Sequence, residues 1–407
     1  MTMDLPSTRE MVERLRPLRG GEPLTGAEAE RLFSIVVWSV LVEPGDGVAG
    51  RLIAGMGPHE ALRPLLNGAL EAAVVGRADI TPAEAAAGVA RWMPRLEAPA
   101  VRAAIDLAGR ARARLLVPGD QEWPVVVDDL GDHAPLCLWV RGDPQALTAA
   151  QASVALVGAR AATGYGEHVA MEFGAELAGR GVTVVSGAAY GIDGMAHRAA
   201  LAAGGQTLAL LAGGVDRAYP AGHANLLERI AAAGAVVSEV PCGGAPTKWR
   251  FLTRNRLIAA LGQATVVVEA GWRSGSLNTA GHAAALGRPL GAVPGPVTSA
   301  ASAGCHRLLR EFDARCVTTV DEVMELLGGG WAGGDGMPGG RATLGGRSAE
   351  ETRVLDALTS RAGRQTPDVA RRCGLAIADV EGVLGLLAMD GAVARDERGW
   401  RRVSSAV

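Results

Sequence analysis

Residues 154–193 constrain the fold of this chain more than any other stretch. They open with an apolar run of strand length at residues 154–157, which ends at Gly158. A loop of small and polar residues leads into an amphipathic segment, and a second apolar run follows at residues 182–185. This order is typical of the strand–helix–strand unit of a parallel sheet. Since neither strand alternates polar and apolar residues, we expect helices to cover both faces of the sheet.

Strand-like and helix-like segments continue to alternate after this unit. Strict alternation predicts an α/β fold with a doubly wound, mostly parallel sheet. Further strands are predicted at residues 207–211, 235–240, 265–269 and 289–293, and helices at residues 193–203, 224–233, 255–262, 276–286 and 305–312.

Changes in composition divide the chain into five predicted regions. They are a loose, polar leader, a helical N-terminal domain, the sheet domain, a linker whose first nineteen residues hold ten glycines, and a C-terminal helical unit. Such a glycine density predicts a flexible linker. The boundaries fall at residues 1–25, 26–112, 113–327, 328–347 and 348–407.

The N-terminal domain has helical periodicity, and prolines stand at the ends of its runs. Residues 47–62 are typical of helix, glycine turn and helix, which resembles helix-hairpin-helix or SAM domains. Such a turn can present backbone amides to a DNA phosphate, and a small bundle used for partner contacts is the other interpretation. Helices are predicted at residues 31–42, 47–56, 61–68, 81–93 and 98–111.

Residues 114–144 are predicted to form β-rich connecting structure. Apolar runs at residues 125–127 and 136–140 lie between proline and Asp-Gly turn signals. We expect this segment to add an edge strand to the sheet.

The C-terminal unit is predicted to be a winged helix. Helix-like segments at residues 350–360, 366–373 and 377–390 precede a hairpin-like tail at residues 391–403. The third helix, which would read a DNA groove, is acidic and contains no cation. Because recognition helices need donors for base edges, regulation through duplex DNA is disfavoured, and we expect protein contact or dimerisation instead.

Composition excludes several classes of protein. The net charge is −3, so no global basic field attracts nucleic acid, although a local patch remains compatible with this value. Five widely spaced cysteines without a CxxC pair argue against a zinc site or disulfides and favour a reducing compartment. The first residues lack an apolar signal core, and the apolar residues 32–42 are too few to span a bilayer. We expect a cytoplasmic protein that uses no metal, cofactor or membrane.

Loops rich in glycine, serine and threonine follow six of the predicted strands. The carboxyl ends of parallel strands meet at one edge, where such sheets bind ligands. Small residues let backbone amides approach a phosphate there, and Arg160 beside Gly158 adds a cation. The loop lacks GxGxxG spacing, and the chain contains no GxxxxGK[ST] sequence. Dinucleotide binding and phosphate-loop NTP hydrolysis are therefore disfavoured.

Residues 248–256, with the sequence KWRFLTRNR, form the densest basic cluster. Four cations alternate with Trp249 and Phe251, so phosphate contacts and a stacking surface occur together. The alternative is a solvated helix start whose arginines form salt bridges. We favour nucleic-acid contact because the cluster lies among the loops of the sheet domain.

Two features carry weak signals of acid–base chemistry. Asp193 and His197 have the i, i+4 spacing of one helix face, and Glu269 ends a predicted strand. No set of nucleophile, base and acid accompanies them. We therefore predict no catalytic residue.

Eight motifs together resemble the bacterial DNA-processing protein A family, also called Smf. They are VALVGAR, SGAAYGID, GGVDRAYP, SEVP, RNRLIAAL, VVEA, RSGSLNTA and AVPG, in that order over about residues 123–327. The resemblance implies an extended Rossmann-like fold that binds single-stranded DNA without sequence preference. It also implies protection of incoming DNA in natural transformation, loading of RecA recombinase for homologous recombination, and a homodimer formed through the sheet domain.

The resemblance also implies which residues bind DNA phosphates. Two departures from the family pattern bear on this set: Ala159 stands where a hydroxyl residue is common, and Tyr190 where an arginine is frequent. The implied residues are Gly158, Arg160, Thr163, Gly187, Lys248, Phe251, Arg254, Asn255, Arg256, Ser274, Gly275, Ser276 and Thr279.

The alternative function is enzymatic. Glu269 and the following GWRSGSLNTA are faintly similar to the PGGxGTxxE loop of nucleoside-monophosphate hydrolases in the lysine-decarboxylase-like Rossmann group. The second glutamate of that loop is absent, because Asn278 and Thr279 occupy its neighbourhood. Release of a free base from AMP would indicate this function.

Overall fold

The computed structural model describes residues 5–149, 152–328 and 347–403. Residues 329–346, which make up most of the predicted linker, lie outside the described residues. In the described ranges, no helix is long and apolar enough to cross a membrane.

Helices make up the N-terminal region, as the sequence predicts. Its largest buried side chains include Trp38 and Trp92, whose rings meet edge to face at 5.3 Å. The Trp38 indole nitrogen donates to the carbonyl of Pro58 at 2.9 Å, which joins two of the helices. The helices are α1 Thr8–Leu15, α2 Gly26–Leu41, α3 Gly47–Met56, α4 Pro58–Leu66, α5 Leu70–Ala73, α6 Pro82–Trp92 and α7 Ala98–Arg110.

The prediction of a loose leader is wrong for residues 8–19. The Ser7 hydroxyl accepts the amide of Glu10 and caps α1. Met11, Leu15 and Leu18 are buried in the same core as α2. Their spacing of four and three residues places them on one face, so the segment gains enough apolar burial to order.

Nine strands of the described residues form one mixed sheet. They are β1 Arg114–Leu116, β2 Leu138–Gly142, β3 Ser153–Val157, β4 Thr183–Ser186, β5 Thr207–Leu210, β6 Ala235–Ser238, β7 Ala264–Val267, β8 Leu290–Ala292 and β9 Arg315–Cys316. Their order in the sheet is β1-β2-β6-β5-β4-β3-β7-β8-β9. All neighbours from β6 to β9 pair in parallel, and β1 and β2 add antiparallel strands at one edge. The predicted mostly parallel α/β sheet is confirmed.

Helices cover both faces of this sheet. In β3, Val154 and Leu156 face the core beneath α8 and α9, whereas Ala155 and Val157 face the core beneath α11 and α12. Because every β3 residue is buried, its continuous apolar run is explained. The helices are α8 Gly164–Gly179, α9 Ile192–Ala202, α10 Ala224–Ala233, α11 Lys248–Leu261, α12 Ser276–Ala285, α13 Ala303–Glu311 and α14 Val320–Gly328.

The apolar run at residues 125–127 does not form a strand. It begins the 3₁₀ helix Val125–His133, in which Val127 is buried and Val125 is 69% exposed. The preceding Pro124 lacks the amide that a sheet ladder needs. The expected edge structure comes instead from β2, which pairs with β6, and from β1 beyond it.

The C-terminal unit contains three helices followed by a two-stranded hairpin. They are α15 Ala349–Ala357, α16 Thr366–Cys373 and α17 Ile377–Met389, then β10 Val393–Asp396 and β11 Gly399–Arg402. This is the element order expected of a winged helix, and the identification itself stays a prediction.

A buried ion cluster joins the three regions. Glu43, which follows α2, accepts Arg95 at 2.5 Å and Arg250 of α11 at 2.7 and 2.9 Å. Gly374 of the C-terminal unit packs against it, so that a Cβ there would lie 2.5 Å from the Glu43 Cγ atom. Burial acts to raise the pKa of Glu43, but Arg250 and Arg95 outweigh it and lower the pKa to about 2.

We expect Glu43→Gln to lower the free energy of unfolding by about 3–5 kcal/mol at pH 7, because two buried guanidiniums lose their counter-charge. The folded pKa of Glu43 is depressed from 4.5 to about 2. Its contribution is therefore complete above about pH 5 and is lost as the pH falls toward 2. Denaturant unfolding of both proteins across this pH range measures the difference.

The matched control is Glu13→Gln, which neutralises an exposed glutamate paired with Arg9. Its effect is expected to stay within about 1 kcal/mol. Equal stability of Glu43→Gln and the unchanged protein at pH 7 would contradict the role assigned to the buried cluster.

Candidate nucleic-acid interface

The loop after β3 is held against the end of β7. The Ala159 amide donates to the Glu269 carbonyl at 2.7 Å. A Cβ on Gly158 would lie 2.5 Å from the Ile192 side chain and 2.9 Å from that carbonyl, so only glycine fits without a shift. The Thr163 hydroxyl accepts the Gly166 amide and caps α8. These contacts hold the backbone of the loop in one position at the carboxyl edge of the sheet.

The Glu269 carboxylate faces this loop and is 3% exposed. One oxygen accepts the Thr163 amide at 2.8 Å, and the other accepts the Thr163 hydroxyl at 2.7 Å. Gly166 packs against the carboxylate as well, since a Cβ there would lie 2.5 Å from it. These contacts give Glu269 a loop-anchoring role.

The loop after β4 is fixed from below by buried charges. Asp193 accepts the amides of Gly187 and Ala189 at 3.2 and 3.4 Å. The Arg254 guanidinium donates to the carbonyls of Gly187, at 3.0 Å, and of Leu210. Burial raises the pKa of Asp193 and lowers the pKa of Arg254 to about 10, so each partner offsets part of the other's desolvation.

His197 and Asp193 each have their own partners. The His197 Nδ1 atom lies 2.7 Å from the Thr207 hydroxyl, and its Nε2 atom has no hydrogen-bond partner among the described residues. Burial, followed by the charges of His223 and Arg254, lowers the pKa of His197 to about 3, which keeps it neutral. The pair predicted as a weak acid–base signal therefore packs beneath the loop.

The structure places the three predicted residues of the RNR sequence below the surface. Arg254, Asn255 and Arg256 are 6%, 8% and 4% exposed. Arg256 pairs with Glu239 at 2.5 Å and lies beneath Gly45 of the N-terminal region. Their contacts position the loops, and a strand on the surface would not reach Arg256.

Asn255 connects α11 with the loop that precedes α12. Its amide nitrogen donates to the Gly275 carbonyl and the Asn278 side chain, both at 3.2 Å. Gly275 is exposed at the start of α12, whereas Ser276 and Thr279 are buried. The Ser274 and Ser276 hydroxyls lie 2.8 Å apart. Of this predicted set, Ser274 and Gly275 lie nearest to solvent.

Arg160, Phe251 and Tyr219 form an exposed basic and aromatic surface, which we call the Arg160–Phe251 cluster. The Arg160 guanidinium lies 4.6 Å from the Phe251 ring centroid, and the Tyr219 ring lies 5.4 Å from it. Arg160 is exposed, Tyr219 is 45% exposed, and Lys248 is exposed one turn before Phe251. The predicted residue Arg160, from the loop after β3, thus meets the predicted residue Phe251, from α11.

Trp249 lies under the C-terminal unit. The Asp356 carboxylate of α15 accepts the Trp249 amide at 3.1 Å, and the Arg353 guanidinium lies 5.4 Å from the Trp249 ring centroid. The stacking role considered for Trp249 therefore falls to Phe251, whose ring contacts Arg160 and Tyr219 instead.

Exposed aromatic residues on the other loops were missed by the sequence reasoning. Tyr165, Tyr190 and Trp272 are 45%, 52% and 54% exposed. Tyr190 and Trp272 stand in the small-residue loops that the sequence analysis assigned to phosphate contact alone, and Tyr165 stands in the first turn of α8, directly after such a loop. An aromatic residue at such a position could have predicted a stacking contact, because a side chain beyond the end of a strand lies outside the hydrophobic core and stays exposed.

We expect Glu269→Ala to weaken the anchoring of the β3 loop, because the Thr163 amide loses its partner at a cost of about 1–3 kcal/mol. Glu269→Gln is the matched control. A glutamine oxygen can accept the Thr163 amide while its nitrogen donates to the Thr163 hydroxyl. Hydrogen exchange of the loop amides is expected to rise in the alanine variant and to change little in the glutamine variant. Equal exchange in both variants would contradict the anchoring role.

Comparison with known proteins identifies the family of this chain. A family model for DNA recombination-mediator protein A matches residues 114–328. A putative DNA processing protein DprA of Mycobacterium tuberculosis is 50% identical over 310 residues, which cover 73% of this chain and 79% of that protein. Protein Smf of Escherichia coli is 42% identical over 214 residues, or 52% of this chain and 56% of that protein.

A solved structure has the same fold. The X-ray structure of DNA processing protein A from Streptococcus pneumoniae superposes with a TM-score of 0.58 at 29% identity, covering 72% of this chain and 96% of that one. The family match takes in every loop of the parallel strands described above and more than half of the 407 residues. The chain belongs to the DNA recombination-mediator protein A family.

Proposed function

We propose that this protein binds single-stranded DNA without sequence preference along the carboxyl edge of its sheet. The observation that carries the proposal is the Arg160–Phe251 cluster, where an exposed guanidinium and two aromatic rings meet beside Lys248. A single strand offers phosphates to the cations and unpaired bases to the rings. Every base has a flat face, so this mode of contact is tolerant of sequence.

Backbone groups at the same edge complete the proposed phosphate site. Thr163 and Gly275 stand at the starts of α8 and α12, and the N-terminus of a helix favours an anion. Gly158 and Gly187 let the loops after β3 and β4 pack closely against Ile192 and Arg254, and Gly187 is buried. We assign direct contact to the backbone at Gly158 and Gly275, to Ser274 and to the Arg160–Phe251 cluster with Lys248. Thr163 and Gly187 have positioning roles, because their amides donate to Glu269 and Asp193.

We assign positioning roles to the buried members of the predicted site. Arg254 holds the loop after β4, and Asn255 holds the start of α12. Ser276 and Thr279 lie beneath that start. Removing Arg254 and Arg256 together would test folding more than DNA contact, since both are buried with charged neighbours.

Family membership supports a wider role in DNA processing. We propose that the protein shields incoming strands in the cytoplasm during natural transformation and loads a RecA recombinase onto them. We also propose a homodimer formed through the sheet domain, with the C-terminal unit as a winged helix that contacts protein.

Nucleotide hydrolysis remains the alternative, and the contacts of Glu269 weigh against it. Both carboxylate oxygens accept hydrogen bonds from Thr163, and the side chain is buried. A catalytic carboxylate needs access to the reacting atoms. Release of free base from AMP, abolished by Glu269→Gln, would restore this alternative.

We expect Phe251→Ala and Arg160→Ala to weaken binding in different ways. Loss of the Phe251 ring removes base stacking of about 1–3 kcal/mol and leaves the salt dependence unchanged. Loss of Arg160 removes about one phosphate contact, so the slope of log K against log salt becomes shallower by about 0.7. Fluorescence anisotropy of a labelled thymidine oligomer, titrated at several salt concentrations, measures both effects.

Arg180→Ala is the matched control, because Arg180 lies at the far end of α8, at the opposite edge of the sheet. It is half-exposed and paired with Glu176 and Asp321, so its removal is expected to leave DNA affinity unchanged. A matching duplex is expected to bind more weakly than the single strand. Equal affinity for both DNA forms, or unchanged binding by both site variants, would refute the proposal.

A further inference from the structure

Trp272 is a large aromatic side chain that the proposed site does not use. It stands in the loop between β7 and α12, and 54% of it is exposed. Tryptophan buries most of its surface on average, so a half-exposed ring at a ligand-binding edge of a sheet calls for an explanation.

One cation lies against this ring, and two further arginines lie on the same loop and on α13. The Arg307 guanidinium of α13 lies 5.5 Å from the Trp272 ring centroid and 5.6 Å from that of Phe312. Arg273 and Arg310 are exposed nearby, the latter at 66% of its side chain. The Trp272 loop also carries Glu269, which is buried against Thr163, and α13 carries Glu311, which pairs with Arg307 at 2.7 Å and lies 3.9 Å from Arg310. Three arginines against two glutamates, of which Glu269 is buried and bound to Thr163, leave an excess of positive charge on the exposed part of these two segments.

The sheet places this surface next to the Arg160–Phe251 cluster. β7 is the parallel neighbour of β3, and neighbouring strands lie about 4.8 Å apart. The hydrogen bond from the Ala159 amide to the Glu269 carbonyl ties the two loops together. The Gly304 amide donates to the Ala270 carbonyl at 2.7 Å and fixes the start of α13 against the Trp272 loop. Phe251 contacts Tyr219, on the β5 side, so the two aromatic surfaces lie on opposite sides of the β3 loop.

We infer that Trp272 and Arg307 form a second base-stacking subsite, which takes a nucleotide of the same single strand beyond the one at Phe251. This inference rests on the proposed function. Positive charge suits the phosphates, and the free face of the Trp272 ring suits an unpaired base. A duplex keeps its bases stacked inside, so a single strand is the form of nucleic acid that this surface fits.

The experiment compares Trp272→Ala with Phe251→Ala on two thymidine oligomers, a short one of about four nucleotides and a long one of about twenty. Trp272→Ala is expected to weaken binding of the long oligomer about five- to tenfold and to leave the short one unchanged. Phe251→Ala is expected to weaken both. An abasic version of the long oligomer is expected to bind the Trp272→Ala variant and the unchanged protein equally well, because it offers no base to stack.

The outcomes separate this inference from the proposed function. If Phe251→Ala weakens both oligomers and Trp272→Ala weakens neither, the second subsite is refuted and the proposed function stands. If the unchanged protein binds no oligomer, the proposed function fails first. Equal weakening of both oligomers by Trp272→Ala would refute a separate subsite, and so would a Trp272→Ala effect on the abasic oligomer. If Trp272→Ala sediments differently from the unchanged protein in the absence of DNA, the second subsite is refuted and the Trp272 surface is assigned to contact between copies of this chain.

Discussion

The buried guanidinium of Arg254 is the contact on which the ligand edge of this protein depends. It joins α11 to the loops after β4 and β5 through the carbonyls of Gly187 and Leu210, with Asp193 as its counter-charge. An unpaired charge at that depth would be costly, so the arginine, the aspartate and the loop conformation stabilise one another. Ala188 adopts a φ of 52° inside this loop, a conformation that needs such support.

Helix α11 distributes its side chains among all parts of the molecule. Arg250 joins the Glu43 cluster of the N-terminal region, the Trp249 amide is bound by Asp356 of the C-terminal unit, and Arg254 reaches under the sheet edge. Phe251 is left to face the loops beside Arg160. Because each of these contacts fixes the same helix, the exposed cluster is held by the packing of three regions rather than by its own loop.

The sequence predicts the sheet well and the depth of the site poorly. Runs such as 154–157 identify their strands because a doubly covered strand is apolar throughout. The sequence of residues 248–256 does not distinguish its four cations from one another. In the structure, however, Arg256 is buried against Glu239 and Lys248 is exposed. A helix turns successive side chains to different surroundings, and the partners of Arg254 and Arg256 come from other strands. Residues close in sequence to Arg254 and Arg256 therefore cannot predict which partners bury them. By contrast, the spacing of Met11, Leu15 and Leu18 was enough to predict that residues 8–19 form helical structure packed on the core.

Burial of the arginines changes how the proposed DNA contact has to work. With Arg254 and Arg256 committed to Asp193 and Glu239, the edge keeps few exposed cations beside the β3 loop, and the whole chain has a net charge of −3. Phosphate contacts alone would then give weak binding, because both the affinity and its salt dependence grow with the number of phosphates contacted. The exposed rings of Tyr219 and Tyr190 and the half-buried ring of Phe251 add stacking, which salt does not screen. The presence of Tyr190, where an arginine is frequent in the family that the motifs resemble, follows the same trend from charge toward stacking.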